Sequence, residues 1–184
     1  VQAQLQNLKD QINPHFLFNN LSVLSSLVYQ DQDKAVDFIN QLAKVYRYLL
    51  DNRSNELVRL DEELKFLDSY IYLLGIRFDK NISFVMTIET DMMHKLIPPM
   101  SLQMLIENAI KHNEISSECP LKIDISTKDK RLIVSNNFQP RRENEPSSKT
   151  GLKNIRDRYH YFTDQVVEVE QNETEFIVRI PLLA

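Results

Sequence analysis

Two apolar stripes at helical spacing fill the first fifty residues, with only a short polar break between them, and they limit this chain more than any other feature. Leu5, Leu8, Ile12 and Phe16 fall three or four apart, and Val23, Leu24 and Leu27 carry the stripe to about Tyr29, as one face of a long helix would. Asp31 to Asp33 interrupt it with residues that suit an N-cap. Val36, Ile39, Leu42, Ala43, Tyr46 and Leu50 then form a second stripe that ends near Asn52. Helices joined so tightly make an antiparallel hairpin, and a lone hairpin cannot bury both of its apolar faces. The pattern therefore predicts a homodimer in which two hairpins form a four-helix bundle, two-fold pairing being the default for identical chains.

Within the first stripe, Ile12-Asn13-Pro14-His15-Phe16-Leu17-Phe18-Asn19-Asn20 is an unusual run. Proline in a helix interior removes a backbone hydrogen bond and clashes with the preceding turn, at about 3 kcal/mol, so Pro14 predicts a bend beside His15. A neutral imidazole near pH 7 is both nucleophile and proton acceptor, which makes His15 the candidate to accept a phosphoryl group. Phe16, not an acidic residue, follows it; Asn19, one turn on, is the residue placed to orient the ring.

At 184 residues, 42% hydrophobic and 26% charged, the chain has the composition of one folded domain or two modest ones. A net charge of -4 argues against a nucleic-acid partner, which would call for a basic excess. The lone Cys119 excludes an internal disulfide and a cysteine metal cluster, and fits a reducing, cytoplasmic compartment. No stretch has the apolar length of a membrane span and no signal peptide is visible. The chain opens on Val1-Gln2-Ala3-Gln4-Leu5, already in helical rhythm and without a starting methionine. The expectation is thus a cytoplasmic piece that touches a membrane only through a segment upstream of Val1, such as an anchor in the bacterial inner membrane.

The polar stretch Asp51-Asn52-Arg53-Ser54-Asn55 marks the expected boundary, with dimerisation helices over 1–54 and a second domain over 55–184. In the second part, Leu57 to Leu60 reads as a short strand, and Asp61 as the cap of a helix that reaches about Phe78 with Glu62 and Glu63 in its first turn. Ile82, Phe84, Met86 and Ile88 alternate as a half-buried strand does. Pro98-Pro99 launches another helix, proline suiting the first helical position. Strands are expected around Leu121 to Ser126 and Arg131 to Asn136, with Asp129-Lys130 as a tight turn, and residues 138–150 read as a mobile loop. A helix from Leu152 to about Phe162 and strands at Val166 to Glu170 and Thr174 to Leu182 complete the chain. The fold class is α+β: a helical hairpin followed by helices on one face of a mixed, mostly antiparallel sheet.

On the helix after Pro99, Leu102, Leu105, Ile106, Ala109 and Ile110 make a buried stripe and leave Glu107, Asn108, Lys111 and His112 on the other side. Asparagine is a poor mid-helix residue unless its side chain has a task, and a carboxamide oxygen is a hard ligand suited to Mg²⁺ that already holds phosphates. The run from Ile12 to Asn20, followed by Leu105-Ile106-Glu107-Asn108-Ala109-Ile110-Lys111-His112-Asn113, resembles the H box and N box of LytS-type sensor histidine kinases. Tyr70-Ile71-Tyr72-Leu73-Leu74-Gly75-Ile76-Arg77-Phe78 and Gly151-Leu152-Lys153-Asn154-Ile155-Arg156-Asp157-Arg158-Tyr159 are similar to further segments of that family. The resemblance implies a phosphotransfer hairpin followed by a GHKL (Bergerat-type) ATP-binding domain. It also implies autophosphorylation of His15 from ATP and transfer to an aspartate on a response regulator receiver domain. Carried onto this chain, it makes Asn108 the Mg²⁺ ligand, Glu107 the residue that orients or deprotonates, and Lys111 and His112 phosphate neighbours.

The family's adenine-binding aspartate is replaced here by Asn136, in Val134-Ser135-Asn136-Asn137-Phe138, a neutral acceptor in place of a charged one. The last glycine-rich box is reduced to Ser147-Ser148-Lys149-Thr150-Gly151 in a chain with two glycines in all. Ser148, Lys149 and Thr150 then stand as side-chain contacts to phosphate, with the amides of Gly151 and Leu152 opening a helix whose N-terminus favours anions. Two functions follow from these features: an active ATP-dependent autokinase, or a degenerate, non-catalytic dimeric scaffold with weak or no ATP binding.

Overall fold

The computed structural model describes residues 14–52, 54–141 and 150–184. The expected stripe at Leu5, Leu8 and Ile12, the bend ahead of Pro14, and Ser147, Ser148 and Lys149 lie outside the described residues.

Helix α1 spans Pro14–Gln30 and α2 spans Gln32–Asp51. Asp31 separates them in extended backbone, and its side chain accepts from the Lys34 amide at 3.0 Å, which is the N-cap expected there. Ala35, Phe38 and Val45 are the buried residues of α2, whereas Val36, Ile39 and Leu50 are exposed. The stripe read from the sequence is therefore split: Val36, Ile39 and Leu50 face outward, while Leu42 and Tyr46 are partly buried against the core. α2 carries two apolar seams one residue apart, and α3, spanning Leu60–Phe78, covers the inner seam. α3 is buried along Leu60, Phe66, Leu67, Tyr70, Leu73 and Leu74. Tyr48 of α2 stacks on its Phe66 at 4.3 Å between ring centroids, and Phe16 of α1 lies 5.6 Å from its Tyr70 ring. One apolar core runs from the hairpin through α3 into the sheet.

Asp61 does not cap α3, contrary to expectation. The helix starts one residue earlier, and the Asp61 carboxylate is held by Arg59 at 2.9 Å. β1, Val58–Arg59, pairs with β3, Leu96–Ile97, and the amides of Leu60 and Asp61 donate to Lys95 and Met93, so tertiary pairing of the strand-to-helix junction takes the place of a side-chain cap.

The main sheet has the order β2-β4-β5-β7-β6, with β2 at Ile82–Thr87, β4 at Leu121–Lys128, β5 at Arg131–Asn137, β6 at Glu168–Gln171 and β7 at Glu175–Pro181. Only β2 with β4 is parallel; the other pairs are antiparallel. Burial alternates strictly along β4 and β5, with Leu121, Ile123, Ile125, Leu132 and Val134 under the helices, the signature of a sheet covered on one face. β2 is an edge strand, and Met86, expected on its inner side, is exposed; burial along β2 fades from Ile82 toward Thr87. α4, Ser101–His112, packs on β4 and β5 and against α5, Thr150–Phe162. The molecule is α+β, as the pattern of elements indicates.

Candidate functional site: the face of α4

α4 buries Leu102, Leu105, Ile106 and Ala109 on the sheet. That leaves Glu107, Asn108 and His112 half-buried and Lys111 exposed on the other side, so the four polar residues of the N box share about one and a half turns of one helix face. Ile110 is only half-buried.

The start of α4 is not made by proline. Pro98 and Pro99 precede Met100, which sits in the left-handed region at φ 64°, and the helix begins at Ser101 with no cap from its own sequence. The cap comes from α3. The Glu63 carboxylate, with no exposure to solvent, accepts from the Met100 amide at 3.0 Å and the Leu102 amide at 3.2 Å, and supplies negative charge at a helix N-terminus whose own first turn has none. Burial pushes the Glu63 carboxyl above its ordinary value, against the opposing pull of these hydrogen bonds and of Arg158.

Glu107 Oε1 accepts from Gln103 Nε2 at 2.8 Å and from the Tyr70 hydroxyl at 3.3 Å. Tyr70 touches Phe16, the residue after His15, so the H-box helix and the N-box helix meet through one tyrosine of α3. His15 itself stands in the first turn of α1.

Asn136 lies at the end of β5 on the helix-covered face, in one row with Ile123 and Phe176, and is buried. Its Nδ2 donates to the Asn137 carbonyl at 2.7 Å. That orientation leaves Oδ1 as an acceptor, the polarity an adenine amino group requires. Beyond it the chain is strapped to the C-terminus of α4: the Gln139 amide donates to Asn113 Oδ1 at 2.8 Å, and Arg141 donates to the carbonyls of Asn113 at 3.0 Å and Ile110 at 3.3 Å. Burial, with the charges of Lys111 and Arg141, holds the His112 imidazole below its ordinary value. It is therefore neutral at pH 7, and the positive charge on this turn comes from Lys111 and Arg141.

Thr150, Gly151 and Leu152 form the first turn of α5. A Cβ at Gly151 would meet nothing within 4 Å, so its protein surroundings do not ask for glycine, and its amide, in the first turn of a helix, has no partner within that helix. The structure thus gathers Glu107, Asn108, Lys111 and His112 on α4, with Asn136 and the start of α5 on elements that flank it; helix α1 is joined to them through Phe16 and Tyr70. Sequence reasoning passed over Tyr48, Glu63, Tyr70, Gln103 and Arg141. Glu63 had a visible signal: it falls on the apolar stripe of α3, between Leu60 and Phe66, where a carboxylate needs buried partners.

A family model described as Histidine kinase matches residues 3–82. Sensor protein LytS of Staphylococcus haemolyticus is 37% identical over 110 residues, 60% of this chain and 19% of that protein. Sensor protein LytS of Oceanobacillus iheyensis is 36% identical over 135 residues, 72% of this chain and 23% of that protein. The chain spans about a fifth of the length of these relatives. Among solved structures, the cytoplasmic segment of histidine kinase QseC aligns with a TM-score of 0.49 at 19% identity, covering 82% of this chain and 93% of that one. With the H box on α1, the N box on α4 and these sequence matches across both, the chain belongs to the histidine kinase family, among the LytS-type sensors.

Proposed function

We propose that this chain is the kinase portion of a two-component sensor, built from a dimerisation and phosphotransfer hairpin over 1–54 and a GHKL-type ATP-binding domain over 55–184. It autophosphorylates His15 from ATP and passes the phosphoryl group to an aspartate of a response regulator receiver domain. The observation that carries this reading is the turn of α4 that presents Glu107, Asn108, Lys111 and His112 together, flanked by the buried acceptor of Asn136 and the N-terminal turn of α5. Asn136 Oδ1 takes the adenine amino group. The amides of Gly151 and Leu152, with Lys111, His112 and the Thr150 hydroxyl, hold the phosphates. Asn108 offers a hard carboxamide oxygen on a half-buried face and would hold Mg²⁺, which would supply charge neutralisation at the nucleotide phosphates. A ring nitrogen of His15 forms the bond to the γ-phosphorus as the bond to the bridging oxygen breaks and ADP departs. Glu107, held in place by Tyr70 and Gln103, accepts the ring proton. The working unit is a homodimer, and the full-length protein is anchored in the bacterial inner membrane.

Incubation with Mg²⁺ and γ-labelled ATP is expected to label His15 through an acid-labile, base-stable bond. His15→Gln is expected to abolish the label, and Asn108→Asp or Asn108→Ala to abolish it while the dimer persists. Normal labelling in the Asn108 variants refutes the metal role.

One observation favours a second reading, a nucleotide-independent scaffold. Phe138 and Pro140 stand in the segment that follows Asn136, and hydrogen bonds hold that segment against the end of α4. No nucleotide binding at millimolar ATP decides for the scaffold.

A further inference from the structure

We infer that Glu63 is the joint through which the hairpin sets the position of the N-box helix, so that Tyr48 and Glu63 are positioning residues for phosphotransfer; this rests on the kinase reading above. Three elements converge on the turn that starts α4. From α3, the buried Glu63 carboxylate receives the amides of Met100 and Leu102. From the hairpin, the Tyr48 hydroxyl of α2 donates to the same carboxylate, on the oxygen that also takes Met100. From α5, Arg158 Nη1 donates to the Pro99 carbonyl at 2.8 Å. Ser101 closes the turn by donating its hydroxyl to the Pro98 carbonyl at 2.6 Å.

The carboxylate at the centre of the joint has no alternative partner in water, since Glu63 has no solvent exposure. Burial and the charge of Glu63 push the Tyr48 phenol up, so it remains a donor at all physiological pH values. Displacement of α2 relative to α3 moves the Tyr48 hydroxyl, and the carboxylate that it holds is the one that caps α4. Met100 stands in a left-handed conformation that a non-glycine residue keeps only when its surroundings hold it, and the bond from its amide to Glu63 is one of those holds. Asn108 lies two turns further along the same helix, so a change of tilt at Met100 is carried to the metal ligand through a rigid rod. A packed interface of this kind moves between discrete arrangements and does not deform smoothly. The hairpin thereby has a route to the nucleotide site besides the one through Phe16 and Tyr70.

Tyr48→Phe tests the joint, because it removes one hydroxyl and keeps the ring that stacks on Phe66. In the full chain, kcat for labelling of His15 is expected to fall by about tenfold, the scale of a catalytic group misplaced by a fraction of an ångström, with KM for ATP unchanged. Amide exchange at Met100 and Leu102 is expected to speed up in the same variant. A wild-type kcat, or unchanged exchange at both amides, overturns the proposal. Should Tyr48→Phe fail to fold, Glu63→Gln gives the same two readouts, since a carboxamide has one acceptor oxygen for two backbone donors. If the wild-type protein does not label at all, the kinase reading falls, and the exchange rates alone then decide whether the hairpin holds the start of α4.

Discussion

Glu63 is the residue whose chemistry is least like its appearance in the sequence. An acidic residue in the first turn of a helix ordinarily faces water and adds a few tenths of a kcal/mol through the helix dipole. Here it is fully buried and serves the start of the next helix, α4. Its carboxyl is raised above the ordinary value of 4.5 by burial, so the folded state binds its proton more tightly than the unfolded chain does. The stability this contributes is complete below pH 4.5 and is lost as the pH rises through the raised value. The groups that set that value are Tyr48, the amides of Met100 and Leu102, and Arg158. Denaturant midpoints of the wild type, measured upward from pH 4.5, are expected to carry this downward component, and those of Glu63→Gln to lack it. Across the range the variant is expected to be less stable by about 1–3 kcal/mol, the cost of a buried amide left without an acceptor. Parallel pH profiles for the two proteins would remove the assigned ionisation. His112 runs the other way: it is held below its ordinary value, is neutral at pH 7, and so offers hydrogen bonds and not charge to an anion near Asn108.

At the scale of elements, the turn between β4 and β5 and the start of α4 make a useful contrast. Asp129 and Lys130 both have positive φ, 52° and 57°, between the paired Lys128 and Arg131. That is the two-residue turn whose twist matches antiparallel strands, and its position was legible because Asp-Lys interrupts two alternating runs. Lysine is a costly residue at the second position. Lys130→Gly is therefore expected to stabilise the protein by about 0.5–1 kcal/mol in urea unfolding, with labelling of His15 unaltered; a loss of stability would show that the Lys130 side chain is needed in the turn. The start of α4 was not legible. Two prolines suggested a helix beginning on proline, whereas the left-handed Met100 intervenes and the cap arrives from residue 63, a contact of long sequence separation that no local rule registers.

For the molecule as a whole, the hairpin presents Phe18, Leu21 and Val28 on α1 and Val36, Ile39 and Leu50 on α2 to solvent. Neighbours along each helix recur at spacings of three, seven and eleven, the seam that a second helical pair would bury. α3 packs on the inner seam of the hairpin, and the proposed four-helix bundle would bury the exposed stripe against a second copy. Ile39→Asp is expected to convert the dimer to a monomer in sedimentation equilibrium, with helical content preserved by circular dichroism. A monomeric wild-type protein at micromolar concentration contradicts the bundle.

Periodicity, turn chemistry and two short motifs were enough to place the hairpin, the helices, most of the sheet and the polar face of α4, because each rests on interactions within a few residues. Only the tertiary structure decided which of the two apolar seams of α2 faces inward, that α3 is the element between hairpin and sheet, and that Tyr70 and Glu63 are the side chains that reach α4. The physical reason is common to all three. A buried side chain is defined by what lies across from it, and the residues across from Val45, Glu63 and Tyr70 are far away along the chain.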